Sequence, residues 1–152
     1  MVKQQGGVLD NYLIICNSCK TKNRVPASSE GKSGRCGNCH TLLQPLYLRP
    51  VALSDNSFDS FLRDSPGSIL AEFWSPHCPH CLEFAPVLRD AASETAGKGV
   101  IVQINIDENP RLTARFKITG VPTVILLIDG KEVKRASGTM NKQNLLALFY
   151  NR

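Results

Sequence analysis

The chain has 152 residues, 42% hydrophobic and 20% charged, enough for one ordinary core and a small appendage held together by other means. Its net charge of +5 sits in the first third, since residues 1–50 carry seven basic and two acidic residues and residues 51–152 carry eleven of each. No aromatic stacking pattern accompanies the charge, so no nucleic-acid partner is expected; the apolar run in MVKQQGGVLDNYLIIC is too short for a secretory or membrane segment, so a cytoplasmic chain with no membrane partner is expected.

The six cysteines form three Cys-x-x-Cys pairs, Cys16/Cys19, Cys36/Cys39 and Cys78/Cys81. In a reducing compartment such pairs bind metal or do chemistry more often than they build a disulfide framework. Cys16 and Cys19, sixteen intervening residues, then Cys36 and Cys39 have the spacing of a four-cysteine zinc site. Each pair can fold as a knuckle that aims two thiolates at one tetrahedral Zn²⁺, with Gly37 and Asn38 suited to the second turn. The stretch between the pairs, KTKNRVPASSEGKSGR, is too polar to build a core, so metal binding would supply its folding free energy. Lys20, Lys22, Arg24, Lys32 and Arg35 would offset the negative charge of four thiolates on Zn²⁺. Two local disulfides are the competing reading. His40, directly after Cys39, reads as a solvated neighbour of a complete ligand shell. Gly31-Lys32-Ser33 looks like the end of a phosphate loop, but Pro26 stands where that motif needs glycine.

A linker, TLLQPLYLRP, precedes a regular alternation of elements. Ser54 and the residues after it cap a helix carrying Phe58, Phe61 and Leu62. Residues 68–74 (SILAEFW) form a short apolar strand. From Cys78 a helix runs through Leu82, Ala85, Leu88 and Ala92 towards Gly97, with a kink expected at Pro86. Residues 100–106 (VIVQINI) are a buried-type strand, and Asn109-Pro110 caps and opens the next helix. Residues 122–128 and 131–137 pair as a hairpin about Asp129-Gly130. A last helix, 141–150, faces Leu145, Leu146, Leu148 and Phe149 inward. This order predicts an α/β chain with a mixed sheet covered on both faces.

Cys78-Pro79-His80-Cys81 falls where a strand yields to a helix. Unpaired N–H groups and the macrodipole at a helix start favour an anion, which makes Cys78 the expected nucleophile. Pro79 fits the first turn, where its missing N–H costs nothing. Cys81, one turn on, can attack a mixed disulfide formed at Cys78. His80 can donate to the Cys78 thiolate or lend it positive charge, and either makes the pair more oxidising. A metal held by Cys78, Cys81 and a histidine is disfavoured, because ligands from so short a stretch close a tetrahedron poorly.

The segment FWSPHCPHC with Ala85-Pro86, followed by Asn105-Ile-Asp107, Ile118-Thr-Gly-Val-Pro122-Thr, Asp129-Gly130-Lys131 and Gly138, resembles the thioredoxin family across residues 51–152. With the two N-terminal knuckles, the whole chain resembles the zinc-binding thioredoxin 2 type. The resemblance implies a thioredoxin fold over residues 49–152, and residues 1–48 as a small zinc-ribbon-like domain plus linker. It implies a protein-disulfide reductase working through a redox-active Cys78/Cys81 disulfide. Its partners would be protein disulfides and an NADPH-dependent thioredoxin reductase, and the chain would be a monomer. It also implies a cis-proline at Pro122 after Val121, a buried acid at Glu72 that handles the proton of the second cysteine, and a substrate surface of Trp74, Val121, Pro122 and Gly138. Three positions depart from the family: Pro79-His80 replaces Gly-Pro, His77 replaces a tryptophan, and Gln103 replaces a lysine near the buried acid. The alternatives are a zinc-ribbon interaction module or redox-regulated chaperone, and a more oxidising disulfide oxidase or isomerase.

Overall fold

The computed structural model describes residues 11–151, so the first ten residues of the run discussed above lie outside it. Its centre is a five-stranded sheet in the order β3-β5-β4-β6-β7, built from β3 (Val51–Ala52), β4 (Ser68–Trp74), β5 (Val100–Asn105), β6 (Thr123–Ile128) and β7 (Lys131–Ser137). β3, β5 and β4 run parallel, and β6 and β7 continue antiparallel. The edge strand β3 lies just past the expected linker, and its two residues are too few to show a periodicity.

Strands β4 and β5 read as nearly unbroken apolar runs because both faces of the sheet are covered. Ile69, Ala71 and Phe73 of β4, with Val102 and Ile104 of β5, face α1 (Phe58–Asp64) and α3 (Pro110–Arg115) through Phe58 and Leu112. Leu70, Ile101, Val124 and Leu126 face α2 (Pro79–Thr95) and α4 (Lys142–Tyr150), packing on Phe84, Leu88, Leu145 and Phe149. Strand alternation places Glu72 on the α2 side with Leu70. Register then sets it directly opposite Gln103. The one buried charged side chain among the described residues therefore lies under the helix that carries the dithiol.

Helix α2 is one continuous helix through Pro86, which lies on its exposed side, and Leu82 is 56% exposed rather than turned to the core. Where a proline removes a helix bond on the wet face, water satisfies the freed carbonyl. Asn109 precedes α3 as expected, but its side chain makes no cap hydrogen bond. Instead the N–H groups of Arg111 and Leu112 donate to the Asp55 carboxylate, while Asn109 accepts from Asp55 N–H. That exchange fastens α3 to the turn before α1.

The N-terminal unit contains a hairpin that its polar sequence does not announce, β1 (Asn11–Ile15) paired antiparallel with β2 (Lys22–Pro26). Its small core is Ile14, Cys16, Cys36, Leu43 and Leu46 against Ala96, the residue that ends α2. The expected linker is thus not a free tether. Leu43 and Leu46 are buried, Gln44 Nε2 donates to Ser68 O at the start of β4, and Tyr47 stacks on Phe61 at 5.6 Å. At Gly97, φ is +83° and the space where a Cβ would stand is 3.0 Å from Leu13 O, so the backbone there needs glycine on both counts. Among the described residues no helix is long and apolar enough to cross a membrane.

Candidate functional site

The turn into α2 is built by Ser75. Its hydroxyl donates to Asp107 Oδ2 at 2.8 Å and accepts from His77 N–H, and its carbonyl accepts from Cys78 N–H at 3.2 Å. Ser75 is buried, so the loop that presents Cys78 is held from the β5–α3 connection as well as from β4. Asp107 stands in the Asn-Ile-Asp motif, but its tie to Ser75 is a long-range contact that spacing could not reveal.

Cys78 is the N-cap of α2, with its sulfur accepting from Cys81 N–H at 3.3 Å. The thiol is half-buried, and Cys81 one turn below is 2% exposed. Pro79 occupies the first turn of α2. The other side of Cys78 is closed by the loop before β6: its Sγ lies 3.8 Å from Val121 O, the Val121–Pro122 bond is cis, and Gly138 N–H donates to Pro122 O at 2.8 Å. The structure therefore brings Cys78, Cys81, Val121, Pro122 and Gly138 into one neighbourhood. Trp74 ends β4, half-buried, and lines a cleft that reaches Cys81. His80 is placed differently from the expectation: it is exposed, with Nδ1 3.7 Å from Glu83 Oε2, and the hydrogen bond to the Cys78 sulfur comes from the backbone of Cys81.

Burial separates the two thiols. Desolvation, and then the hydrogen bond with Cys78, push Cys81 up to about 12, so it attacks only once a base takes its proton. Glu72 is 1% exposed; Oε2 accepts from Gln103 Nε2 at 2.8 Å and Oε1 has no hydrogen-bond partner among the described residues. Desolvation outweighs that one bond and raises its pKa from 4.5 to about 7. A lysine at Gln103 would bring a charge that holds the carboxylate ionised, whereas an amide does not.

This shift has a stability signature. The folded pKa lies above the unfolded one, so the native state holds the Glu72 proton more tightly. Its contribution is complete below pH 4.5 and is lost as pH rises through about 7. Glu72→Gln is therefore expected to remove a decline in stability between those values. At pH 8 it should be more stable than wild type by about 3 kcal/mol. Urea unfolding at pH 5 and pH 8 checks this, and an equal pH dependence in both proteins would refute it.

The other four cysteines form one cluster, with all four sulfurs within 4.8 Å of one another. Two near-identical loops aim them. In the first, Cys16 N–H donates to Thr21 O and Lys20 N–H to Cys16 O; in the second, Cys36 N–H donates to Thr41 O and His40 N–H to Cys36 O. Lys20 and His40 take the same left-handed backbone, φ +64° and +62°. The hydroxyls of Thr21 and Thr41 each lie 3.2 Å from the second sulfur of their knuckle. The repeat is visible in CNSCKT and CGNCHT, and these threonines are the residues that cysteine spacing alone misses.

Asn23 and Asn38 point amides at Cys36 and Cys19 at 3.5 and 3.6 Å, and Asn38 N–H also donates to Cys36 Sγ. Thr21, through its hydroxyl and backbone N–H, pushes Cys19 down to about 5, and the N–H groups of Cys39 and Asn38 lower Cys36. Donors converging on sulfur suit thiolates, so the donor set fits a soft metal ion. His40 is exposed and outside the set.

Comparison with known proteins gives a consistent result. The thioredoxin family profile matches residues 49–150. The chain is 34% identical to "Thioredoxin C-3" of Corynebacterium nephridii over 133 residues, 88% of this chain and 90% of that one. That alignment is longer than the profile match, so it takes in part of the N-terminal region. Thioredoxin of Staphylococcus saprophyticus is 36% identical over 95 residues, 62% of this chain and 89% of that one. Among solved structures, a mutant thioredoxin from Halobacterium salinarum superposes with a TM-score of 0.59 at 25% identity, covering 68% of this chain and 90% of that one.

Proposed function

The chain belongs to the thioredoxin family of thiol–disulfide oxidoreductases, and from that premise we propose that it reduces protein disulfides through Cys78 and Cys81. The observation that carries the reading is the pairing of a half-exposed sulfur at a helix N-cap with a buried one a turn below it.

In this mechanism the Cys78 thiolate attacks one sulfur of a substrate disulfide. A mixed disulfide forms and one substrate thiolate leaves. An extended substrate lies along Val121 and Pro122, whose backbone is held by Gly138. Glu72, ionised in part near neutral pH, accepts the Cys81 proton. Cys81 then attacks Cys78 Sγ, releases the second substrate thiolate and leaves a Cys78–Cys81 disulfide. Two electrons have moved to the substrate, and an NADPH-dependent thioredoxin reductase restores the dithiol. Trp74 and Pro79 shape the approach, and His80 tunes it from the rim.

Residues 1–48 are proposed to hold one Zn²⁺ through Cys16, Cys19, Cys36 and Cys39 as a separate small domain ahead of the thioredoxin domain at 49–152. A thiolate-bound Zn²⁺ would be structural, because four protein ligands leave no open position. The chain is proposed to work as a monomer in the cytoplasm. The direct test is reduction of insulin disulfides in the presence of dithiothreitol. Acceleration well above dithiothreitol alone is expected, and no acceleration would overturn the reading.

A further inference from the structure

A cleft of about 360 Å³ opens between the segment that enters the thioredoxin domain and the first turns of α2. It reaches the dithiol at Cys81, and neither Val121 nor Pro122 lines it. Trp74, Cys81, Leu82 and Ala85 line it, and Arg49 and Arg89 stand at its rim. Leu82, Ala85 and Arg89 are three, then four, residues apart, so they share one face of the helix.

The charge in this cleft is one-sided. The acids of α2 are engaged elsewhere: Glu83 lies against His80, Glu94 pairs with Lys142 at 2.6 Å, and Asp90 also acts on Lys142. Three other arginines of the domain have carboxylate partners, Arg111 with Asp55, Arg115 with Asp59 and Arg135 with Glu132. Arg49 and Arg89 have neither an ion pair nor a side-chain hydrogen bond among the described residues. The same cleft is lined by Leu82, a large apolar side chain that is 56% exposed one residue beyond Cys81.

We infer that this cleft is a substrate-selecting surface: it takes an acidic segment of the polypeptide whose disulfide is attacked at Cys78, with an aliphatic side chain on Leu82 and Ala85 and carboxylates on Arg49 and Arg89. The inference rests on the reading of Cys78 and Cys81 as the working dithiol and adds a substrate class to it. Guanidiniums match carboxylates in geometry as well as charge. An aliphatic floor with a single aromatic, Trp74, suits a peptide better than stacked bases. Charges at a rim act mainly on encounter rate and on choice among partners.

The test uses two peptides that carry the same disulfide-closed loop, one followed by Leu-Glu-Glu and the other by Leu-Lys-Lys. At low salt the wild-type chain is expected to favour the acidic peptide in kcat/KM by about tenfold, with the preference shrinking in about 0.5 M salt. Arg49→Glu with Arg89→Glu should invert the preference, and Arg49→Gln with Arg89→Gln should erase it. Because the readout is a ratio within one protein, a general loss of activity cancels. A ratio near one in wild type, or an unchanged ratio in the charge-reversed variant, overturns the inference. So does a single-stranded oligonucleotide that inhibits strongly where the acidic peptide shows no advantage. Bis(2-hydroxyethyl) disulfide separates the two levels: its turnover together with a ratio near one removes only the cleft, whereas no turnover of any disulfide removes the dithiol reading itself.

Discussion

Changing Cys81 to Ser is expected to stop turnover and leave the chain covalently joined to its substrate. Cys78 sits at the N-cap of α2, half-exposed, so its attack on a disulfide does not need Cys81. Release does need it. A thiol held one helical turn from the mixed disulfide acts at an effective concentration that no solution thiol matches, up to about 10⁵ M or more in well-oriented systems. Without Cys81 the adduct waits for bulk thiol, and turnover should fall by at least about a hundredfold. Mass spectrometry under non-reducing conditions should find the mixed disulfide in Cys81→Ser and none in Cys78→Ser. Full turnover by Cys81→Ser would refute the two-thiol mechanism.

The same substitution separates the roles of the two groups beneath the helix. Cys81 is pushed to about 12 and Glu72 to about 7, both chiefly by burial. A buried base of that strength matters only if a buried thiol must lose its proton. Added to Cys81→Ser, Glu72→Gln should therefore change stability but leave the rate of the first attack by Cys78 as it was.

Much of this arrangement is legible in the residues themselves. The strands β4 to β7 and the helices α1 to α4 carry strong apolar runs, caps and a turn signal, and they fold where those signals place them. The mixed sheet follows from their order. What cannot be read is whatever depends on contacts distant in sequence. Ser75 looks like an ordinary loop residue until Asp107 arrives from the end of β5. Asn109 looks like a helix cap, yet Asp55 takes that task from across the fold. Leu82 looks like a core position by periodicity, but it falls on the side of α2 turned from the sheet.

The N-terminal unit is half legible for a different reason. Cysteine spacing marks its candidate ligand set, but its β1/β2 hairpin has little apolar alternation because only Ile14 is buried, while Leu13 and Ile15 are both more than half exposed. The linker escapes a sequence reading because Gln44 and Pro45 look loop-like yet are buried, Gln44 through its bond to Ser68 at the start of β4.

That thin core leads to the other large effect expected, on removing the metal. Elemental analysis should find about one zinc per chain, and Cys36→Ser with Cys39→Ser should abolish it. Ordering a residue costs about 1–2 kcal/mol of backbone entropy. The buried apolar set that the N-terminal unit itself sets against this cost is five residues, two of them the candidate ligands Cys16 and Cys36. Metal binding, worth about 10–16 kcal/mol in small zinc modules, is of the size needed to close that gap. In the double serine variant, amide signals of residues 11–48 should collapse to disordered values while those of 49–150 stay dispersed. The domain behind them has its own two-sided core and loses contacts at its edge, among them the Gln44 bond to Ser68, the ring contact of Tyr47 with Phe61 and the packing of Ile14 on Ala96. Disulfide reduction should accordingly survive in that variant. A zinc-free chain whose residues 11–48 keep native dispersion would show that the four thiols are not what orders the unit.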